Sequence, residues 1–130
     1  MSEPAYSLAV RRDFQARHYL VGGDWGPENE LHTHDYRLEL ELAGRELNQH
    51  GFLVDLVQVE KLVDETLREY QGQTLNDRPA FAGLNPSIEH FSRILCKAFG
   101  ELLTEAAIQS ITVRLWEDES AWASFLSIRK

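Results

Sequence analysis

Two long stretches with a two-residue period constrain this chain more than any other feature. From Tyr6 to His18 the even positions Tyr6, Leu8, Val10, Phe14 and Ala16 are apolar, broken once by Arg12 and closed by His18. From His32 to Leu42 the even positions read His32, His34, Tyr36, Leu38, Leu40 and Leu42, with Arg37, Glu39 and Glu41 between them. A period of two belongs to strands that turn one face to a core. If the two are antiparallel neighbours joined by residues 19–31, the end of the first lies beside the start of the second. His18, His32 and His34 then share a face. Three neutral imidazoles with a fourth position vacant are the donor set of a catalytic zinc, whereas a structural zinc takes four protein ligands. No fourth ligand stands out nearby in the sequence, so an open site is expected. His-x-His at a strand entrance also occurs as two polar residues with no metal, and that reading stays beside the first.

The remainder supplies two helices and two strands. Asp55 with Gln58 three residues on reads as a capping box, and Leu56, Val59, Leu62, Val63 and Leu67 give a helical stripe to about Tyr70. Residues 71–84, with Gly72, Pro79 and Gly83, read as a long loop and a candidate site wall. Asn85-Pro86 opens a second helix with asparagine as cap, carrying Ile88, Phe91, Leu95, Phe99 and Leu102 on one side and Cys96 at the margin of that stripe. Ile111, Val113 and Leu115 alternate with Thr112, Arg114 and Trp116 as a third strand, and residues 121–128 form a fourth. The order ββααββ predicts an α+β fold, a four-stranded antiparallel sheet with two helices on one face. Its two open edges invite pairing with further copies, so a ring-like homo-oligomer is expected.

With 130 residues the chain is expected to form one domain over 1–130. A net charge of -8, from 21 acidic and 13 basic residues, opposes a phosphate-backbone footprint, so nucleic acid is not an expected partner. Cys96 is the single cysteine and no apolar run reaches membrane-span length, so a cytoplasmic setting and no membrane partner are expected.

Glu117 continues the odd series Ile111, Val113, Leu115 and so points to the core side of the third strand. Either the strand is already emerging into solvent there, or the carboxylate accepts two parallel hydrogen bonds from an amidine-like N–H pair such as a pterin presents.

These residues together resemble the 6-pyruvoyltetrahydropterin synthase and 6-carboxytetrahydropterin synthase family. Phe14-Gln15-Ala16-Arg17-His18 is similar to its Phe-x-Ala-x-His segment and Leu31-His32-Thr33-His34-Asp35-Tyr36 to its Leu-His-Gly-His-x-Tyr segment. Asp55, Leu75-Asn76-Asp77, Asn85-Pro86-Ser87-Ile88-Glu89 and Glu117 match further in the same order. The resemblance implies the tunnelling fold, with trimers closing their sheets into a barrel and two trimers stacking as a homohexamer. It implies Zn2+ on His18, His32 and His34, a pterin anchored by Glu117, and dihydroneopterin triphosphate as substrate.

The chain departs from the family pattern at the family's proton-transfer groups. Glu28 stands where the family has a cysteine, Gln71-Gly72-Gln73-Thr74 where it has an aspartate-histidine pair, Thr33 where it has glycine, and Asp118 where threonine follows the anchoring glutamate. Glu28 is therefore the candidate catalytic base, or else a solvated loop acid beside Glu30; His90 is the better placed of the two remaining histidines as a spare proton carrier, His50 lying in a polar connection. Three functional expectations follow: a zinc-dependent lyase of the 6-carboxytetrahydropterin synthase type feeding queuosine and deazapurine synthesis; an aldolase-like enzyme releasing 6-hydroxymethyldihydropterin with Glu28 in place of cysteine; and an inactive zinc- and pterin- or purine-binding protein. A metal-free structural oligomer is the remaining option.

Overall fold

A computed structural model describes residues 3–129. The elements run β1 (Tyr6–His18), β2 (His32–Gly44), α1 (Leu56–Arg68), α2 (Ile88–Leu102), β3 (Ser110–Trp116) and β4 (Trp122–Ile128), with short 3-10 turns at Gly26–Asn29, Leu75–Asp77 and Pro79–Phe81. The strands form one antiparallel sheet in the order β1-β2-β3-β4, both helices being inserted between β2 and β3.

The period-two pattern sorts the sheet into two faces. On the helix-covered face, Val10 pairs with Leu40 and Leu40 with Val113, while Phe14 pairs with Tyr36, and all five are buried. The stripes Val59, Val63, Leu67 of α1 and Phe91, Leu95, Phe99 of α2 close over them. Phe91 sits at the centre of an aromatic group, with the rings of Phe14, Tyr36, Tyr70 and Phe81 at 5.8, 5.4, 5.2 and 5.3 Å. This packing holds Tyr36, and through it the histidine end of the sheet, rigid. Arg12, the break in the apolar series, donates to Asp64 Oδ1 and Glu60 Oε2 of α1 at 2.8 Å each, which ties that helix to β1.

On the helix-free face the intervening polar residues pair across strands. Arg11 donates to Glu39, and Arg114 to both Glu39 and Glu41, at 2.9, 2.7 and 2.6 Å. Trp116 and Trp122 lie on this face too, 6.0 Å apart.

Several boundaries differ from the sequence reading. The cap of α2 is Ser87, whose hydroxyl accepts from His90 N at 3.1 Å, because the Asn85 side chain is engaged elsewhere. Asp55 does cap α1, accepting from Val57 N at 3.0 Å, and the helix ends at Arg68. Strand β4 begins at Trp122. Cys96, at the margin of the α2 stripe, is a packed thiol, fully buried, facing Ile111 O and pushed up to about 11 by burial. The expected loop 71–84 carries two 3-10 turns, and its first residues lie along the outer edge of β1: Gly72 N donates to Gln15 O at 2.7 Å, Arg17 N to Gln73 O at 2.8 Å, and Arg17 bridges Thr74 in parallel. One of the two expected open edges is thus half covered. Among the described residues no helix is long and apolar enough to cross a membrane.

Candidate metal centre and active site

The segment that joins the two histidine-bearing strands is fixed by three asparagines. Asn76 accepts from Tyr19 N at 3.0 Å and donates to Tyr19 O at 2.9 Å. Asn85 does the same for Val21, at 2.8 and 2.9 Å. A side-chain amide that satisfies both backbone groups of one residue holds that residue as a neighbouring strand would. Asn29 then gathers the turn itself, donating to Leu20 O and Gly23 O and accepting from Trp25 N, while Leu20 N donates to Glu28 O at 2.9 Å. The Leu-Asn-Asp and Asn-Pro-Ser motifs therefore set the position of Glu28, a role the sequence reading did not assign them.

His18 and His32 are direct register partners, and Ala16 pairs with His34. The three imidazole centroids lie 4.5, 4.7 and 4.7 Å apart. His18 is 2% exposed, and its Nδ1 lies 3.0 Å from the Tyr36 hydroxyl. Burial, then His34 and His32, hold its imidazole down to about 4, so the ring is neutral at physiological pH. Burial also pushes the Tyr36 phenol far above its ordinary value, followed by the carboxylates Glu117 and Glu28, so the hydroxyl keeps its proton. His32 Nδ1 faces the Glu30 carbonyl at 2.7 Å, and its Nε2 lies 3.0 Å from His34 Nε2.

The expectation that no fourth ligand lies nearby is corrected by the turn at Gly26–Asn29: Glu28 Oε2 sits 3.0 Å from His32 Nε2. One donor atom from each of His18, Glu28, His32 and His34 can be chosen so that all lie within 4.8 Å of one another. The residues fit a zinc ion: three imidazoles and a carboxylate are its usual donors, and the Nδ1 atoms of His18 and His32 carry the outer hydrogen bonds that orient metal-ligating histidines.

Glu117 follows the last residue of β3. Trp116 pairs with Arg37, so Glu117 stands opposite Tyr36, one residue beyond the ladder and on the histidine face. It is half-buried, and burial raises its pKa, opposed by His34 and reinforced by Glu28, Asp118 and Glu89. A cleft of about 970 Å³ opens beside it, with Phe14, His34, Trp116 and Gln71 on its walls. Gln71 Oε1 accepts from Gln15 N at 3.0 Å, so the stretch standing where the family has an acid-base pair is spent on bonding to β1. His90 Nδ1 is held by Asn85 O at 2.8 Å, and His50 is exposed.

A four-stranded meander with both helices inserted between its middle strands is the tunnelling fold. The family model described as 6-pyruvoyl tetrahydropterin synthase matches residues 7–127, and the chain belongs to that family. Among solved structures it is similar to the Plasmodium vivax 6-pyruvoyltetrahydropterin synthase, with 15% identity and a TM-score of 0.81 over 95% of this chain and 98% of that one. The Caenorhabditis elegans enzyme gives 17%, 0.77, 95% and 98%. Two further Plasmodium vivax structures are catalytic-residue mutants in which a glutamate is replaced. At such identities the likeness speaks of fold alone. The 6-carboxy-5,6,7,8-tetrahydropterin synthase of Bacillus subtilis is 32% identical over 79 residues, covering 59% of this chain and 52% of the relative, so the match spans about half of that protein.

Proposed function

We propose that the chain is a zinc-dependent lyase of the 6-carboxytetrahydropterin synthase type, acting on dihydroneopterin triphosphate or a related pterin in a route to queuosine and other deazapurines. The observation that carries this reading is the meeting of His18, His32, His34 and Glu28 at one end of the sheet, one row from Glu117. The Bacillus subtilis relative supports the pterin assignment.

His18, His32 and His34 would hold the ion. Zinc bound there supplies Lewis acidity, polarising the oxygens of the pterin side chain so that neighbouring C–H protons are easier to remove. Glu117 accepts two N–H groups of the ring and so orients the side chain toward the histidines. Phe14 and Trp116 wall the cleft beside it. Glu28 takes the proton: its carboxylate lies beside His32 at the centre, and its partly exposed side chain can swing on its own torsions while the turn stays held. The unpaired edge of β4 and the uncovered part of β1 suit a barrel of three chains, two of which stack as a homohexamer in a cytoplasmic setting.

A second reading has its own support. With a glutamate as base and Gln71, at the position of the family's acid-base pair, engaged by β1, carbon-carbon cleavage to 6-hydroxymethyldihydropterin is the alternative. Incubating the zinc-loaded chain with dihydroneopterin triphosphate and separating the products decides between them. A pterin bearing a side-chain carboxylate selects the first reading, the hydroxymethyl product the second. Unchanged substrate in the presence of tight pterin binding ends both and leaves a binding protein.

A further inference from the structure

We propose that Glu28 is a fourth, detachable ligand that closes the metal centre until substrate arrives; this rests on the zinc reading above and deepens it. His32 Nδ1 lies 2.7 Å from the Glu30 carbonyl. A carbonyl only accepts, so Nδ1 is the donor there and Nε2 is the nitrogen turned to the centre. Nε2 faces Glu28 Oε2 and His34 Nε2, each 3.0 Å away. Imidazole nitrogens and a carboxylate oxygen this close together form a donor set for a cation. A divalent ion among these atoms would be shared by His18, His32, His34 and Glu28 together. Tetrahedral donors at roughly 2.1 Å from a common centre stand about 3.4 Å from one another. The four donor atoms, all within 4.8 Å, are close to that already.

The four ligands are not held alike. His18, His32 and His34 stand on paired strands, and His18 is braced from behind by Tyr36. Glu28 hangs from a four-residue turn through three side-chain torsions, and its side chain is 45% exposed against 21% for His32. When a ligand must leave, the carboxylate is the one that can do so without disturbing the sheet. With Glu28 bound, all four tetrahedral positions would be filled by protein, so a substrate oxygen would take the place of its carboxylate. The base becomes free only when there is a proton to take.

Zinc affinity is measured by competition with a chromophoric chelator, with no pterin present. Loss of an outer-shell partner already weakens metal binding tenfold or more, so Glu28→Gln and Glu28→Ala are expected to lose at least about tenfold. Glu30→Gln, which keeps the backbone carbonyl, leaves affinity unchanged. In cobalt-loaded protein, azide is expected to bind Glu28→Ala about tenfold more tightly than the wild-type chain, because in the latter it must displace the carboxylate. Unaltered zinc affinity in both Glu28 variants, or equal azide affinity, overturns the proposal. Since neither measurement involves a pterin, a chain with these metal properties but no turnover defeats the functional reading alone. Turnover with unaltered metal affinity defeats this proposal alone.

Discussion

The hydroxyl of Tyr36 and Nδ1 of His18 lie 3.0 Å apart in the buried end of the sheet, so the deepest of the three rings is anchored through the nitrogen that faces away from the centre. Removing the hydroxyl leaves the ring in place but frees its orientation. Tyr36→Phe is expected to weaken zinc binding by about tenfold, the usual consequence of losing an outer partner. Its effect on unfolding is about 1 kcal/mol, the net worth of one hydrogen bond. Calorimetric zinc titration and a urea transition measure the two separately.

Acid acts on the metal-free chain through His18. Burial, then His34 and His32, hold this imidazole down to about 4 in the folded chain. The unfolded chain takes up a proton at His18 as pH falls through about 6.5, while the folded chain does so only near 4. The stabilisation from keeping this ring neutral is therefore complete above 6.5 and lost progressively between 6.5 and 4, up to about 3 kcal/mol. Urea midpoints of the metal-free protein should fall over that window, and His18→Leu should flatten the fall. A wild-type midpoint that does not move there removes the argument.

The asparagine clamps predict a local rather than a global defect. Asn76→Ala and Asn85→Ala each delete two hydrogen bonds to the segment that carries Glu28, worth about 2 kcal/mol together. Amide exchange at Tyr19 and Val21 should quicken accordingly, with the strand amides unchanged, and cleavage by a protease within residues 19–31 should accelerate. Uniform acceleration over the whole sheet would contradict this.

Glu117→Gln separates ring recognition from metal binding. An amide offers one acceptor oxygen and so cannot take two parallel N–H groups; under the proposed ring-anchoring role, affinity for a pterin is expected to fall on the order of tenfold to a hundredfold while zinc affinity holds. Burial, joined by Glu28, Asp118 and Glu89 and opposed by His34, raises the wild-type carboxyl. Pterin affinity should thus decline on acidification at a higher pH than an ordinary glutamate would give, a dependence absent from the variant.

The strands and the meeting of the histidines were legible because alternation is a strict signal: once Tyr6–His18 and His32–Leu42 are antiparallel neighbours, the register leaves His18 no partner but His32. Glu28 was named as a base from its place in the family pattern, but its approach to His32 was not legible, since it belongs to a turn whose course depends on Asn76 and Asn85. These bond residues 57 and 64 positions away, a separation at which no local pattern speaks. The same engagement explains the misplaced cap of α2. Asparagine before proline is a sound start signal, but with its amide committed to Val21 the capping falls to Ser87. Residues 71–74 carry no period and read as loop, yet their backbone completes the edge of β1.

That covering has a consequence for assembly. A strand from another chain laid along β1 finds free main-chain partners only from Tyr6 to Asp13, because Gln15 and Arg17 are already taken by Gln71, Gly72 and Gln73. A seam between copies along this edge would stop short of the histidines, where the chain's own loop lies against β1.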